Sequence, residues 1–392
     1  MSVIAAGLKV ESGREVILLD RTLLDDKLLQ AAKSGEWKAV QNYLDVGADI
    51  NAVDEVSGNS LLSLSIYRGA EIALVREWIA RGAAINENVV ESLAVRNASG
   101  YEKLLFELLR NVKNDRSAMI EIALVGAARK GNLKVFLNIL DVFGKDNQIS
   151  VDDALITALE QGQLEGIDLA LTLLNRGHQV SNAVLNIALD RATGVGHSPE
   201  LVTKLIERGA DANNCMNEAT PLMNAARAGN LEVMRVLLKH GADIAKANKH
   251  GMTALMSAAK SWEIETLTEL LQKGADVQAV DEKGRNSLMY LAGSLEWPLH
   301  ESSFDLMKIA GDSKNISPCI EMLMKSGLNI NATDLSGKTA LMWAAIAGHD
   351  PVVAILMRLG ADTQMKSLEG RTALEYARQY DRPVAVKLLA GC

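Results

Sequence analysis

The chain has 392 residues, of which 48% are hydrophobic and 23% charged, and its formal net charge is −8. This acidic balance argues against wholesale nucleic-acid binding, because neutralising phosphates requires clustered Lys and Arg. Aromatic residues make up only 4% of the chain, which favours closely packed helices built from small and aliphatic side chains. Cys215, Cys319 and Cys392 lie far apart and form no CxxC pair, so neither a disulfide framework nor a zinc site is predicted.

The N-terminal stretch has only a short apolar run and no basic leader, unlike a signal peptide. No later run of about eighteen uncharged apolar residues could span a membrane. We therefore expect a cytoplasmic protein without a membrane segment.

In chain order, residues 1–20 precede the helical pattern and are predicted to cap the N-terminal end. Helix pairs begin near Arg21, and in the segment 21–86 the strings YLDVGAD and WIARGAA mark the ends of two units. Through 87–204 the two-helix pattern continues in strings such as AARKGNLKVFLNIL, while the turn signal after each pair is blurred. This middle segment is predicted to form irregular helix pairs.

The segment 205–392 carries the clearest internal repeat. Its marker glycines are separated by 32, 33, 53 and 33 residues, and they are Gly209, Gly241, Gly274, Gly327 and Gly360. The interval of 53 residues contains about twenty more than the usual 33-residue period. We expect this insertion, at about 294–316, to interrupt one repeat between its two helices.

A single unit can be interpreted residue by residue. In TPLMNAARAG, Thr220 is placed to cap a short helix and Pro221 occupies its first position, where a missing N–H costs nothing. Gly229 ends that helix, and LEVMRVLLKH forms a second helix that Gly241 ends in the left-handed conformation. The residues after Gly241 form a turn that leads into the next pair.

The string TPLM followed by AARAGNLEVMRVLLKHGADI resembles the ankyrin repeat, whose consensus contains T-P-L-H, A-A-x-x-G-H and L-L-L-x-x-G-A-D. The resemblance implies an all-α solenoid of about eleven stacked helix pairs that is monomeric alone and binds another protein as a scaffold, adaptor or inhibitor. The consensus His of T-P-L-H is replaced by Met or Glu, so the family's polar network at that position is not expected; the replacing residues are Met223, Met256, Met289, Met342 and Glu375.

In the ankyrin-repeat family, which the chain resembles, ligands bind a concave surface formed by the turn tips and the exposed side of the first helices. Projecting those positions onto this chain selects the predicted partner-binding residues Arg227, Lys249, His250, Met252, Lys260, Lys283, Arg285 and Lys338. Because this column is basic, we expect an acidic or phosphorylated partner. The alternative is that Lys and Arg at the ends of short helices only complement the helix dipole, by about 0.3–1 kcal/mol each.

Two tryptophans are further candidates. Trp262 stands where Gly normally ends a first helix and is predicted to be an exposed interface anchor; the alternative is a ring folded over the neighbouring repeat. Trp297 lies in the insertion, which is more apolar than a passive loop. For the insertion, we favour a short helix at 303–310 that packs these side chains on its own repeat.

No catalytic, cofactor-binding or metal motif stands out, so we expect no enzyme activity, no cofactor and no metal. Two alternatives remain at this point. One is an enzyme with a site in the irregular middle or the insertion, and the other is a bacterial ankyrin effector that acts on a host protein in the host cytosol.

Overall fold

The computed structural model describes residues 21–391 except 97, 113–114, 145–148, 161–163, 195–197, 217 and 294–315. The predicted cap at 1–20 and nearly all of the predicted insertion therefore lie outside the described residues. The chain divides into two compact units, Met1–Ile149 and Ser150–Cys392, here called the N-terminal unit and the C-terminal unit.

The described part of the N-terminal unit consists of four helix pairs. Their helices are α1 (Arg21–Ser34), α2 (Trp37–Asp45), α3 (Leu61–Arg68), α4 (Ile72–Ala80), α5 (Glu87–Val95), α6 (Ser99–Asn111), α7 (Arg116–Arg129) and α8 (Leu133–Phe143). Within this unit the first helices of successive pairs, α1, α3, α5 and α7, pack against one another in chain order.

The described part of the C-terminal unit consists of seven helix pairs. Their helices are α9 (Asp152–Glu160), α10 (Leu164–Asn175), α11 (Asn182–Ala192), α12 (Pro199–Glu207), α13 (Pro221–Arg227), α14 (Leu231–Lys239), α15 (Ala254–Lys260), α16 (Ile264–Gln272), α17 (Ser287–Ala292), α18 (316–325), α19 (Ala340–Ala347), α20 (Asp350–Arg358), α21 (Ala373–Gln379) and α22 (Pro383–Ala390). The expected eleven pairs are confirmed over the described residues, in which the only β pairing is three isolated bridges.

Capping defines where the first helices begin. The side-chain oxygen of Thr220 accepts a hydrogen bond from the backbone N–H of Met223 at 3.2 Å, and Pro221 is the first helical residue, as predicted. The same bond, in which the backbone N–H donates to the side-chain oxygen of a Ser, Thr or Asn three residues earlier, starts the first helices at Ser60, Thr253, Asn286, Thr339 and Thr372.

Methionine does not disrupt these caps. The Met223 sulfur accepts a hydrogen bond from the Thr220 N–H at 3.4 Å, where the last repeat uses the carboxylate of Glu375 at 2.7 Å from the Thr372 N–H. The replacing methionines are all buried, and they are Met223, Met256, Met289 and Met342. Their flexible side chains fill the space between stacked helices of small residues such as Ala225.

The predicted glycine caps are confirmed. Each marker glycine follows a second helix with φ between +79° and +112°, and these are Gly47, Gly82, Gly177, Gly209, Gly241, Gly274, Gly327 and Gly360.

The connections between pairs explain the blurred signal in the middle of the chain. We call the long connections fingers; they span 46–60, 208–220, 240–253, 273–286, 326–339 and 359–372. The connections at 81–86 and 176–181 are less than half that long and form no finger. The middle pairs thus keep both helices and shorten the turn.

Candidate functional site

The last four fingers of the C-terminal unit are joined by backbone hydrogen bonds. In each bond an N–H of one finger donates to a carbonyl of the preceding finger; the pairs are Glu282 to His250 (3.0 Å), Leu335 to Lys283 (2.9 Å) and Leu368 to Ser336 (3.0 Å). Glycine permits this approach, because a Cβ on Gly284 would lie 2.9 Å from the Leu335 nitrogen.

Asp281 fixes one finger to the helix that follows it. One of its carboxylate oxygens accepts the N–H groups of Lys283 at 2.9 Å and Arg285 at 2.7 Å. The other accepts Arg285 Nε and the Tyr290 hydroxyl, both at 2.8 Å. Burial opposes the charged carboxylate, but these donors outweigh it and hold the pKa of Asp281 below its usual value, while burial and the bond to Asp281 raise the pKa of Tyr290.

The next finger repeats this arrangement. Asp334 accepts the N–H groups of Ser336 at 2.8 Å and Lys338 at 2.9 Å, and its second oxygen accepts Trp343 Nε1 at 3.0 Å. In the last finger Ser367 takes the place of the carboxylate and bonds to the Tyr376 hydroxyl at 2.9 Å.

Cations on the fingers alternate with aromatic rings on the first helices that follow them. The Arg285 guanidinium lies 4.7 Å from the centre of the Tyr290 ring and 5.9 Å from that of Trp343. Lys338 Nζ lies 5.9 Å from the Trp343 ring and 5.4 Å from the Tyr376 ring. Contacts of this kind hold a cation in place without neutralising it.

The sequence analysis missed Tyr290 and Tyr376. The signal that identifies them is a spacing of nine residues from the polar finger residue to the aromatic ring, which recurs in the pairs Asp281–Tyr290, Asp334–Trp343 and Ser367–Tyr376.

A groove of about 430 Å³ lies beside these cations and rings, and we call it the C-terminal groove. It is lined by Glu218, Asn248, His250, Met252, Lys260, Glu282, Lys283, Arg285, Met289, Tyr290, Gly293 and Trp343.

The groove brings together part of the predicted partner-binding set. His250, Met252, Lys260, Lys283 and Arg285 line it, whereas Arg227, Lys249 and Lys338 do not. Met252 is half-buried, and Lys260 and Lys283 are exposed.

Most of the predicted basic column is already compensated by carboxylates. The ion pairs are Lys249–Glu218, His250–Glu282 (3.0 Å), His250–Glu218 (3.4 Å), Arg285–Asp281 (2.8 Å) and Lys338–Glu369 (3.3 Å). Among the described residues, Arg227, Lys260 and Lys283 have no such partner. The free positive charge in the groove therefore belongs to two lysines, Lys260 and Lys283.

The prediction that Trp262 is an exposed anchor is wrong. Trp262 is only 8% exposed, its Nε1 donates to the Leu291 carbonyl at 3.2 Å, and its ring meets the His349 ring edge-on at 5.2 Å. Burying this large ring against the neighbouring repeats, with its N–H satisfied, is favourable even though the backbone takes a φ of +58°. The alternative, a ring folded over the next repeat, describes the structure.

His349 is buried beside that ring, and its Nε2 has no hydrogen-bond partner among the described residues. Burial lowers the pKa of His349 to about 4. The imidazole is therefore neutral at pH 7.

Trp297 and the predicted helix at 303–310 lie outside the described residues. Within the described part of the chain, no three His, Cys, Asp or Glu side chains are grouped to hold a metal ion. No helix in that part is both long and apolar enough to cross a bilayer.

Stacked helix pairs, the last four of them joined by fingers whose backbones bond to one another, define a helical-repeat fold. The family model described as ankyrin repeats (3 copies) matches residues 185–281 and 306–392. These two segments of the chain thus match the ankyrin-repeat family, and ankyrin repeats are in general protein-interaction modules.

Three curated relatives match parts of the chain. The ankyrin repeat and KH domain-containing protein mask-1 of Caenorhabditis elegans is 26% identical over 236 residues, which is 57% of this chain and 9% of the relative. The ankyrin repeat and KH domain-containing protein CBG24701 of Caenorhabditis briggsae is 26% identical over 288 residues, 55% of this chain and 10% of the relative. The 2-5A-dependent ribonuclease of Mus musculus is 46% identical over 54 residues, 13% of this chain and 7% of the relative. The chain therefore spans a tenth or less of the length of these relatives.

Proposed function

We propose that the chain is a protein-interaction module whose C-terminal groove holds an acidic segment of another protein, so that it acts as a scaffold, adaptor or inhibitor. The observation that carries this proposal is the pair of exposed lysines, Lys260 and Lys283, which line the groove without a carboxylate partner among the described residues. Charges of this kind steer and orient an oppositely charged partner.

The rest of the groove suits a peptide. Arg285 is already fixed between two rings by Asp281, so little side-chain entropy is lost when a ligand arrives. The half-buried Met252 and Trp343 supply apolar surface beside the lysines. The cytosol of the protein's own cell or of a host is the proposed place of action, because exposed Cys215 is a free thiol.

Peptide display on the full chain tests this proposal. We expect selection to enrich peptides rich in Asp and Glu. A synthesised peptide from that set should bind Lys260→Glu/Lys283→Glu at least about tenfold more weakly than wild type, which equals about 1.4 kcal/mol.

The matched control is Lys239→Glu/Lys273→Glu, which makes the same charge change at a separate cavity of the same unit. It should change the affinity less than about threefold, because its charges lie outside the groove. Uncharged selected peptides, or equal losses in both double variants, would rule out the C-terminal groove as an acidic-peptide site.

A further inference from the structure

The N-terminal unit has a groove of its own, with a volume of about 490 Å³, which we call the N-terminal groove. Its lining residues are Tyr67, Ser92, Val95, Arg96, Ala98 and Lys130. They include two cations and no carboxylate, whereas Glu218 and Glu282 line the C-terminal groove.

Arg96 is held in this groove by neutral groups. Its Nη1 donates to the Tyr67 carbonyl at 3.1 Å, and its guanidinium lies 5.9 Å from the centre of the Tyr101 ring. Gly69 makes room for it, because a side chain at that position would collide with the guanidinium. Burial raises the pKa of Tyr101, whose hydroxyl bonds to the Ala70 carbonyl, so this ring stays neutral at pH 7.

No carboxylate among the described residues of the unit therefore compensates the positive charge of Arg96. The nearby carboxylate of Glu91 is paired with Arg129. Among the described residues, the hydrogen-bond partners of Arg96 are neutral, namely the Tyr67 carbonyl and Tyr101, so part of its five N–H donors remains available. The helix-end carbonyl that it contacts offsets only part of a unit charge.

Two further side chains complete the site. Lys130 is exposed and has no ion-pair partner among the described residues. The Tyr67 ring is 57% exposed at the edge of the groove. An arginine fork, a nearby ammonium and an exposed ring thus surround one open space.

We propose that the N-terminal groove binds a phosphorylated side chain of a partner protein, with Arg96 and Lys130 on the phosphoryl oxygens and Tyr67 against the adjoining apolar atoms. A phosphoryl group carries about −1.5 to −2 charges at pH 7 and three acceptor oxygens, which suits two cations better than a single carboxylate does. The planar fork of arginine fits phosphate oxygens in a bidentate manner. This site is separate from the C-terminal groove and does not depend on it.

Saturation-transfer NMR on the full chain, with phenyl phosphate as the probe and benzoate as its singly charged counterpart, tests the proposal. Phenyl phosphate should bind at least about fivefold more tightly than benzoate at pH 7.5. This preference should shrink at pH 5.5, below the second phosphate pKa of about 6.

Substitutions then locate the site. Arg96→Gln and Lys130→Gln should each weaken binding of phenyl phosphate at least about fivefold, which equals about 1 kcal/mol. The control Lys103→Gln, an exposed lysine at another cavity of the same unit, should change it less than about twofold. Since Lys130 is exposed, its variant keeps the test valid even if Arg96→Gln lowers stability.

Three results would overturn the proposal. The first is equal affinity for benzoate and phenyl phosphate, and the second is unchanged affinity in both groove variants. The third is displacement of phenyl phosphate by an RNA oligonucleotide more readily than by a phosphorylated peptide of equal charge, which would assign the groove to nucleic acid instead.

Discussion

The C-terminal and N-terminal grooves hold a central arginine in two different ways. Arg285 is paired with the buried carboxylate of Asp281, so its charge is compensated and its role is to fix the finger and the Tyr290 ring. Arg96 rests on a carbonyl and a ring, so its charge stays free for a ligand. The same residue type therefore serves structure in one groove and offers recognition in the other.

The largest expected effect comes from removing the carboxylate of the C-terminal groove. Asp281→Ala should lower the local free energy of unfolding by roughly 3–5 kcal/mol, because it removes the ion pair with Arg285 and the acceptor for two backbone N–H groups and the Tyr290 hydroxyl. Hydrogen exchange read by mass spectrometry should show faster exchange in α17. Glu282→Ala at the exposed neighbouring position should stay within about 0.5 kcal/mol, and a similar loss there would show that the finger, not the carboxylate, is sensitive.

Three glycines test how closely neighbouring atoms pack against the fingers and beside Arg96. Gly284→Ala should cost roughly 2–3 kcal/mol, because it combines a φ of +77° with a Cβ 2.9 Å from a backbone nitrogen. Gly370 has nearly the same φ, +76°, but no atom within 4 Å, so Gly370→Ala should cost only about 1 kcal/mol. Gly69→Ala, beside Arg96 of the N-terminal groove, should fall between them, since the Arg96 side chain can move away.

Urea unfolding of the three alanine variants measures this order. Equal losses for Gly284→Ala and Gly370→Ala would mean that φ strain alone matters and that the bonded fingers contribute nothing.

The sequence predicted what is local and periodic, and missed what is paired across repeats. Thr220, Pro221 and Gly241 act within one helix, so propensity and spacing were sufficient to assign them. The ion pair of Lys249 with Glu218 joins neighbouring fingers, so the basic column looked freer in sequence than it is. Trp262 was misjudged for the same reason, because the Leu291 carbonyl that receives its N–H belongs to the next repeat.

The stability of the two units should depend differently on acidic pH. All six histidines lie after residue 150, so the N-terminal unit contains none, and His349 is buried in the C-terminal unit. The pKa of His349 is about 4 in the folded protein, against about 6.5 when unfolded. As the pH falls, the unfolded chain thus binds the proton before the folded chain does. The neutral His349 makes its full contribution to the free energy of unfolding above pH 6.5, and this contribution should decline by roughly 2–3 kcal/mol as the pH falls to 4.5.

His349→Asn is the matched variant, because Asn132 and Asn230 stand at the equivalent position before α8 and α14. Between pH 6.5 and 4.5 the variant should lose less stability than wild type, as measured by hydrogen exchange in α19 and α20. Parallel pH profiles for the two proteins would mean that His349 is protonated in the folded state.

The smallest effect is expected at the arginine of the N-terminal groove. Arg96→Gln should lower the free energy of unfolding by about 1 kcal/mol or less, because no buried charge is left behind and water can replace the bond to the Tyr67 carbonyl. Urea unfolding of this variant, compared with Asp281→Ala, measures the contrast between the grooves directly. A loss as large as that of Asp281→Ala would mean that Arg96, too, is chiefly structural, and the charge assigned to ligand binding would then rest on Lys130 alone.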